Sequence, residues 1–252
     1  MNGKIILDVV ELVKDFGGVR AVDRVSFQLR EGEALGIIGP NGSGKTTLVN
    51  LITGFVKPDS GEVFFKGERI TGLSPYSVAR RGIGRTFQMA RPFYKLPAYR
   101  NLIVPLWSPR VRASGGKYGD REAVALDLLE EVGFERDSSV PFKPAGALPH
   151  GYLKRLELAR CLAIRPELII LDELFSGLSL AEVASTVPII EKLQEEGHSL
   201  IMVEHRLREL FRIVDRVIVL NYGQKIAEGN PREVMESEAV KKAYLGVEPE
   251  GA

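Results

Sequence analysis

The segment Gly39-Pro40-Asn41-Gly42-Ser43-Gly44-Lys45-Thr46-Thr47 carries chemistry on its face. It fits G-x-x-x-x-G-K-[ST], the pattern of a loop that cradles phosphate. Gly42 and Gly44 let the backbone curl so that successive N–H groups point inward at phosphate oxygens. A helix expected from Lys45 sets the positive end of its dipole against the anion. Lys45 adds a compact full charge for the β- and γ-phosphates, and Thr46 offers a hard hydroxyl oxygen suited to Mg²⁺. Thr47 reaches toward the α-phosphate. The same composition also suits an inert glycine-rich turn. The apolar run at 34–38 before it and the helical pattern behind it favour the cradle.

A second candidate is Leu168-Ile169-Ile170-Leu171-Asp172-Glu173, an apolar run that ends in two acids. The Asp can hold Mg²⁺ through water, and the Glu can polarise an attacking water. Strands often end in acids, so this segment gains weight only beside the phosphate loop.

Positioning these groups requires strands that end where helices begin. Residues 5–10 form a mostly apolar run. Over 24–30 the residues alternate, with Val25, Phe27 and Leu29 on one face and Ser26 and Gln28 on the other. Residues 34–38 read as a buried strand. The helix from Lys45 has its apolar stripe at Leu48, Leu51, Ile52 and Phe55. Residues 62–66 make a short strand. The stretch from Pro75 to about Ala147 is rich in Pro, Gly and Arg and shows one clear helix, 121–132, with Ala125, Leu128, Leu129 and Val132 inward. Another helix is expected over 152–164, stopped by Pro166. Residues 168–171 and 200–203 are further short strands. Ser179 and Glu182 have capping-box spacing, and Pro188 should kink or shorten the helix they open. Residues 217–220 and 225–227, joined by Asn221-Tyr222-Gly223, read as a hairpin.

Composition narrows the classes. In 252 residues, 44% are apolar and 27% charged, the mix of a globular chain with a good core. With 34 basic and 33 acidic residues the net charge is +1, so no global field recruits nucleic acid. One cysteine excludes a disulfide framework, and three scattered histidines do not suggest a metal cluster. No run approaches the ~20 apolar residues of a membrane span, and residues 1–10 lack a signal-peptide core. A cytosolic location is the expectation.

These motifs together resemble the ATP-binding subunit of ATP-binding-cassette (ABC) transporters, over nearly the whole chain. Further matching segments are Arg85-Thr86-Phe87-Gln88, similar to the family's Q-loop; Phe16, placed like the aromatic that stacks on adenine; and Ser176–Ser179, placed like the D-loop. Leu148–Tyr152 with the helix behind it is placed like the signature, and His205, after Val203-Glu204, like the switch histidine. Segments 16–22, 53–58 and 84–88 and the ending Ala243-Tyr244-Leu245-Gly246 are similar to the branched-chain amino acid uptake branch, its LivG-type subunit above all.

The resemblance implies one P-loop α/β domain: a mainly parallel core sheet with an antiparallel β edge (1–95 and 166–236), a helical subdomain at about 96–165, and a tail from 237 to 252. It implies ATP and Mg²⁺ as ligands. Thr46 and Gln88, with Asp172 behind them, would hold the metal; Glu173 would be the general base; His205 would secure the γ-phosphate. Two cassettes would sandwich each ATP between the cradle of one and the signature of the other. Transmembrane permease subunits and, indirectly, an extracytoplasmic solute-binding protein would be partners.

The chain departs from the family in three places. The signature, typically Leu-Ser-Gly-Gly-Gln, reads Leu148-Pro149-His150-Gly151-Tyr152, so a serine hydroxyl is replaced by a proline without hydroxyl or N–H. Leu174 stands where a proline is usual, and Ser179 where an acid is usual. One alternative follows: a regulatory cassette of a heterodimer that binds ATP while its own signature serves the partner's nucleotide poorly. Between Arg69 and Lys117 ten basic residues occur without an acid, interleaved with Phe87, Phe93, Tyr94, Tyr99 and Trp107. A solvated face and a docking surface for a membrane subunit both suit that run.

Overall fold

Three five-residue, mostly apolar runs, at 34–38, 168–172 and 199–203, form strands that each lead into a helix. The computed structural model describes residues 3–113 and 120–245. Two compact units divide the chain, one of Met1–Val78 with Gly197–Ala252 and the other Ala79–Glu196. Lys117 and Gly246, and the tail from 246, lie outside the described residues.

The first unit opens with β1 (Ile5–Phe16) and β2 (Val19–Arg30), an antiparallel pair. On β2 the alternation is realised: Val25, Phe27 and Leu29 are buried. β1 runs on to Phe16, past the expected 5–10. Its register shifts between Val9 and Leu12 and again before Lys14, and Glu11 sits at φ 49°. Such bulges break the period-two pattern that sequence reading relies on. β3 (Ala34–Ile38) is wholly buried and leads to α1 (Lys45–Ile52). Leu48, Leu51 and Ile52 face the core, but the helix ends before Phe55, which is half exposed. The chain turns at Gly54, φ 77°. β4 (Ser60–Phe65) and β5 (Glu68–Arg69) complete a four-stranded sheet of order β2-β1-β4-β5, and α2 (Pro75–Arg81) follows.

In the second unit β6 (Ile83–Arg85) precedes α3 (Arg100–Leu106), α4 (Pro109–Ala113), α5 (Arg121–Glu131) and α6 (His150–Leu162). Only α5 and α6 are anticipated by periodicity. The others are five to seven residues long and interrupted or opened by proline, too short to show a stripe. α3, α5 and α6 pack on one another. β7 (Leu168–Asp172), wholly buried, pairs in parallel with β6. α7 (Leu180–Glu195) starts at the expected capping box, with Ser179 accepting from the Glu182 N–H. Pro188 does not shorten it: α7 keeps sixteen residues, because Val183, Val187, Ile190 and Leu193 bury one continuous face that outweighs the lost hydrogen bond.

The chain then returns to the first unit. β8 (Ser199–Val203), α8 (Leu207–Ile213), β9 (Arg216–Asn221), β10 (Gln224–Gly229), α9 (Pro231–Glu236) and α10 (Glu238–Leu245) follow. β3 lies between β8 and β9, parallel to both, and β10 closes on β9 as the expected hairpin. Tyr222 and Gly223 both take positive φ, as a two-residue turn of this hand demands. The fold is a mixed α/β one. Among the described residues no helix is long and apolar enough to cross a membrane.

Candidate functional site

The glycine-rich loop leaves β3 and empties directly into α1, the arrangement the cradle needs. Gly44 stands at the N-cap with φ 103°; a Cβ there would lie 2.3 Å from the Ala21 carbonyl oxygen. A Cβ on Gly39 would lie 2.1 Å from that of Leu220. Only glycine fits at either place. Lys45 is 5% exposed, and its Nζ donates to the carbonyls of Gly39 (2.8 Å) and Pro40 (2.9 Å). The ammonium is thus folded back inside the loop. α1 has no acid in its first turn and no side-chain cap, so nothing there opposes an anion at its N-terminus. Asn41, Gly42 and Thr46 are exposed, and Thr47 is half-buried. Ser43 is buried. Its carbonyl accepts the Gly223 N–H at 3.0 Å, while among the described residues its Oγ has no hydrogen-bond partner. An orphaned hydroxyl in a glycine-rich loop fits a loop shaped for a ligand. Phe16, at the end of β1, is half exposed with Lys14 Nζ 5.3 Å from its ring centre. His205 lies exposed between β8 and α8; the helix begins at Leu207.

In the second unit, Asp172 ends β7 and Glu173 follows at φ 50°, a left-handed conformation that strains a residue with a Cβ. Asp172 is buried and paired with Arg85 at 2.7 Å; the two side chains are 5% and 7% exposed. Gln88 Nε2 donates to Glu173 Oε2 at 2.6 Å. The structure therefore brings together Gln88, Asp172 and Glu173 within this unit, as it brings together residues 39–47 within the other.

Sequence reading missed Arg85 as the partner of Asp172 and Lys154 as a partner of Gln88 and Glu173. Pairs 87, 66 and 19 residues apart leave no local pattern. It also missed Tyr244 of α10, a partly exposed side chain whose partial desolvation raises its pKa while the Gly39 N–H opposes that rise.

The signature segment opens α6, with Pro149 at the N-cap and His150 exposed. The Gly151 N–H hydrogen-bonds the Glu182 carboxylate, so this helix end is not simply open to an incoming anion. Tyr152 turns to pack edge-on against Phe134, ring centres 4.9 Å apart. Cys161, on the same helix, is a buried free thiol.

Comparison with known proteins gives the class. Residues 22–176 match the ABC transporter family, and residues 224–250 match the branched-chain amino acid ATP-binding cassette transporter family. The chain belongs to the ABC transporter family, as an ATP-hydrolysing cassette. It is 36% identical to the high-affinity branched-chain amino acid transport ATP-binding protein BraF of Pseudomonas aeruginosa. It is 33% identical to LivG of Escherichia coli K12, described in the same words. Each alignment covers 96% of this chain and 98% of the relative. Among solved structures, the ADP conformation of MJ1267, an ATP-binding cassette of an ABC transporter, matches with a TM-score of 0.82 at 33% identity, over 96% of this chain and 99% of that one.

Proposed function

We propose that the chain powers a membrane importer of branched-chain or related amino acids by binding and hydrolysing ATP. The observation that carries the ATPase part is the loop between β3 and α1, with Lys45 buried in it and an uncapped helix behind it. The match of residues 224–250 supports the substrate class.

The backbone of 39–44 and the α1 N-terminus hold the phosphates, and Lys45 exchanges its carbonyl partners for β- and γ-phosphate oxygens. Phe16 offers an exposed ring to adenine. Among the described residues no three His, Cys, Asp or Glu side chains stand together. Mg²⁺ of the kind that binds with nucleotide needs no such cage: one or two protein oxygens and the phosphates suffice. Thr46 and Gln88 would supply protein oxygens to it, with Asp172 acting through water. When bound, the metal neutralises charge developing on the phosphates. Glu173 polarises the attacking water, and His205 donates to the γ-phosphate. A second cassette, permease subunits in the membrane and a solute-binding protein outside it complete the machine. The cassette then sits on the cytoplasmic face.

Two variants separate binding from chemistry. Lys45→Ala should weaken ATP affinity by at least tenfold, whereas Glu173→Gln should bind ATP normally and lose turnover by about 10²–10⁴. Normal affinity in the first or parental turnover in the second refutes the assignment. Copurification from detergent-solubilised membranes should recover permease subunits; recovery with ribosomes or DNA instead would end the transport reading.

A further inference from the structure

Lys154 has no assigned role, yet it is among the largest fully buried side chains, 1% exposed on α6. Burying an ammonium is costly unless strong acceptors surround it. Its acceptors are specific. Nζ donates to the carbonyl of Gln88 at 2.7 Å and to the carbonyl of Glu173 at 3.1 Å. Those two residues meet again through their side chains at 2.6 Å. The result is a closed ring: Lys154 to the Gln88 main chain, along Gln88 to the Glu173 carboxylate, and through Glu173 back to Lys154.

Glu173 is the member that needs holding. At φ 50° its peptide would relax toward negative φ by about 1–3 kcal/mol if nothing opposed it. That rotation would swing the carboxylate away from its present direction. The bond from Lys154 fixes the carbonyl next to the strained φ, and the bond to Gln88 fixes the loop from which the amide reaches back. Glu157, one turn further along α6, is also largely buried, and burial raises its pKa while Arg160 and Lys154 oppose that rise. Cationic charge in this interior therefore has a nearby counterpart as well as the two carbonyls.

We infer that Lys154 is a positioning residue for hydrolysis: it sets the direction of the Glu173 carboxylate and ties it to Gln88. The inference rests on Glu173 acting as the base. Lys154→Met keeps the length of the side chain and removes its donors; Lys154→Gln is the second variant. In the full chain, a misplacement of the base on the order of 1 Å should lower kcat by about 10²-fold. The dissociation constant for a fluorescent ATP analogue, measured without Mg²⁺ so that Gln88 takes no part in binding, should stay within about threefold. Thermal unfolding identifies which variants are folded. Parental kcat in a folded variant overturns the inference. So does a fall in ATP affinity that matches the fall in kcat, or failure of both variants to fold, which would make Lys154 a structural residue. Glu173→Gln, assayed alongside, keeps the two ideas apart. If it retains turnover, the base assignment fails; if it is inactive while Lys154→Met is parental, only the role of Lys154 falls.

Discussion

Arg85→Met tests a buried ion pair in the second unit. Arg85 Nη2 and Asp172 Oδ2 are 2.7 Å apart, and the side chains are 7% and 5% exposed. Charge centres ~4 Å apart at an effective dielectric constant of ~20 attract by about 4 kcal/mol. Removing one partner of a buried pair costs about 3–5 kcal/mol by mutational experience, because the other charge remains buried and alone. The two estimates agree. For a chain of this size each kcal/mol moves the unfolding midpoint by roughly 2–4 °C, so a drop of about 8–16 °C is expected. Differential scanning fluorimetry reads it, and urea titration checks it through the midpoint at constant slope. Asp172→Leu added to Arg85→Met should recover much of the loss, since a well-packed apolar pair can replace a buried ionic one. A midpoint within about 2 °C of the parent for Arg85→Met would refute the reasoning: Asp172 would then be solvated well enough to stand without its arginine.

The cap of α7 gives a pH prediction. Hydrogen bonds from the Ser179 N–H and hydroxyl, with a smaller contribution from the Gly151 N–H, hold the Glu182 carboxyl below the usual glutamate range. A depressed folded pKa stabilises the protein above the unfolded value, and that stabilisation is lost as pH falls through the folded one. Glu182→Gln should therefore flatten the acid side of the stability profile between about pH 5 and pH 3, and identical slopes in parent and variant would count against it. At Cys161, burial, reinforced by the nearby Glu157 carboxylate, pushes the thiol far above its ordinary value. Iodoacetamide should leave it unmodified at neutral pH until denaturant is added; stoichiometric labelling of the native protein would contradict the buried placement.

The parts of this molecule legible in the sequence are those whose cause is local. The glycine-rich loop is one contiguous run, and its glycines, lysine and helix start lie within nine residues. The capping box needs four residues and the hairpin turn two, and both form as the sequence indicates. What was not legible depends on distance or on broken periodicity. The bulges of β1 hide its second half. α3 and α4 are too short, and too interrupted by Pro105 and Pro109, to register as helices. Pro188 signals a break that the buried face of α7 overrides. Asp172 is readable as an acid at a strand end, but its arginine is not, because that pairing is created by β6 lying beside β7. Lys154 reads as one more cation on an amphipathic helix; only the fold shows that it points inward.

The placement of β3 has a consequence for how the chain is made. Both strands that flank it, β8 and β9, are encoded roughly 160 residues or more downstream. The Gly223 N–H that secures the Ser43 carbonyl arrives later still. At ~5–20 residues per second, a ribosome needs on the order of 10–30 s to deliver the first of these neighbours. Throughout that interval the apolar run ahead of the glycine-rich loop has two unpaired edges, the condition that favours premature association. Synthesis of this cassette is therefore a period of dependence on whatever covers the emerging strand, and slowing translation between α1 and β8 should lengthen it and lower the yield of folded protein.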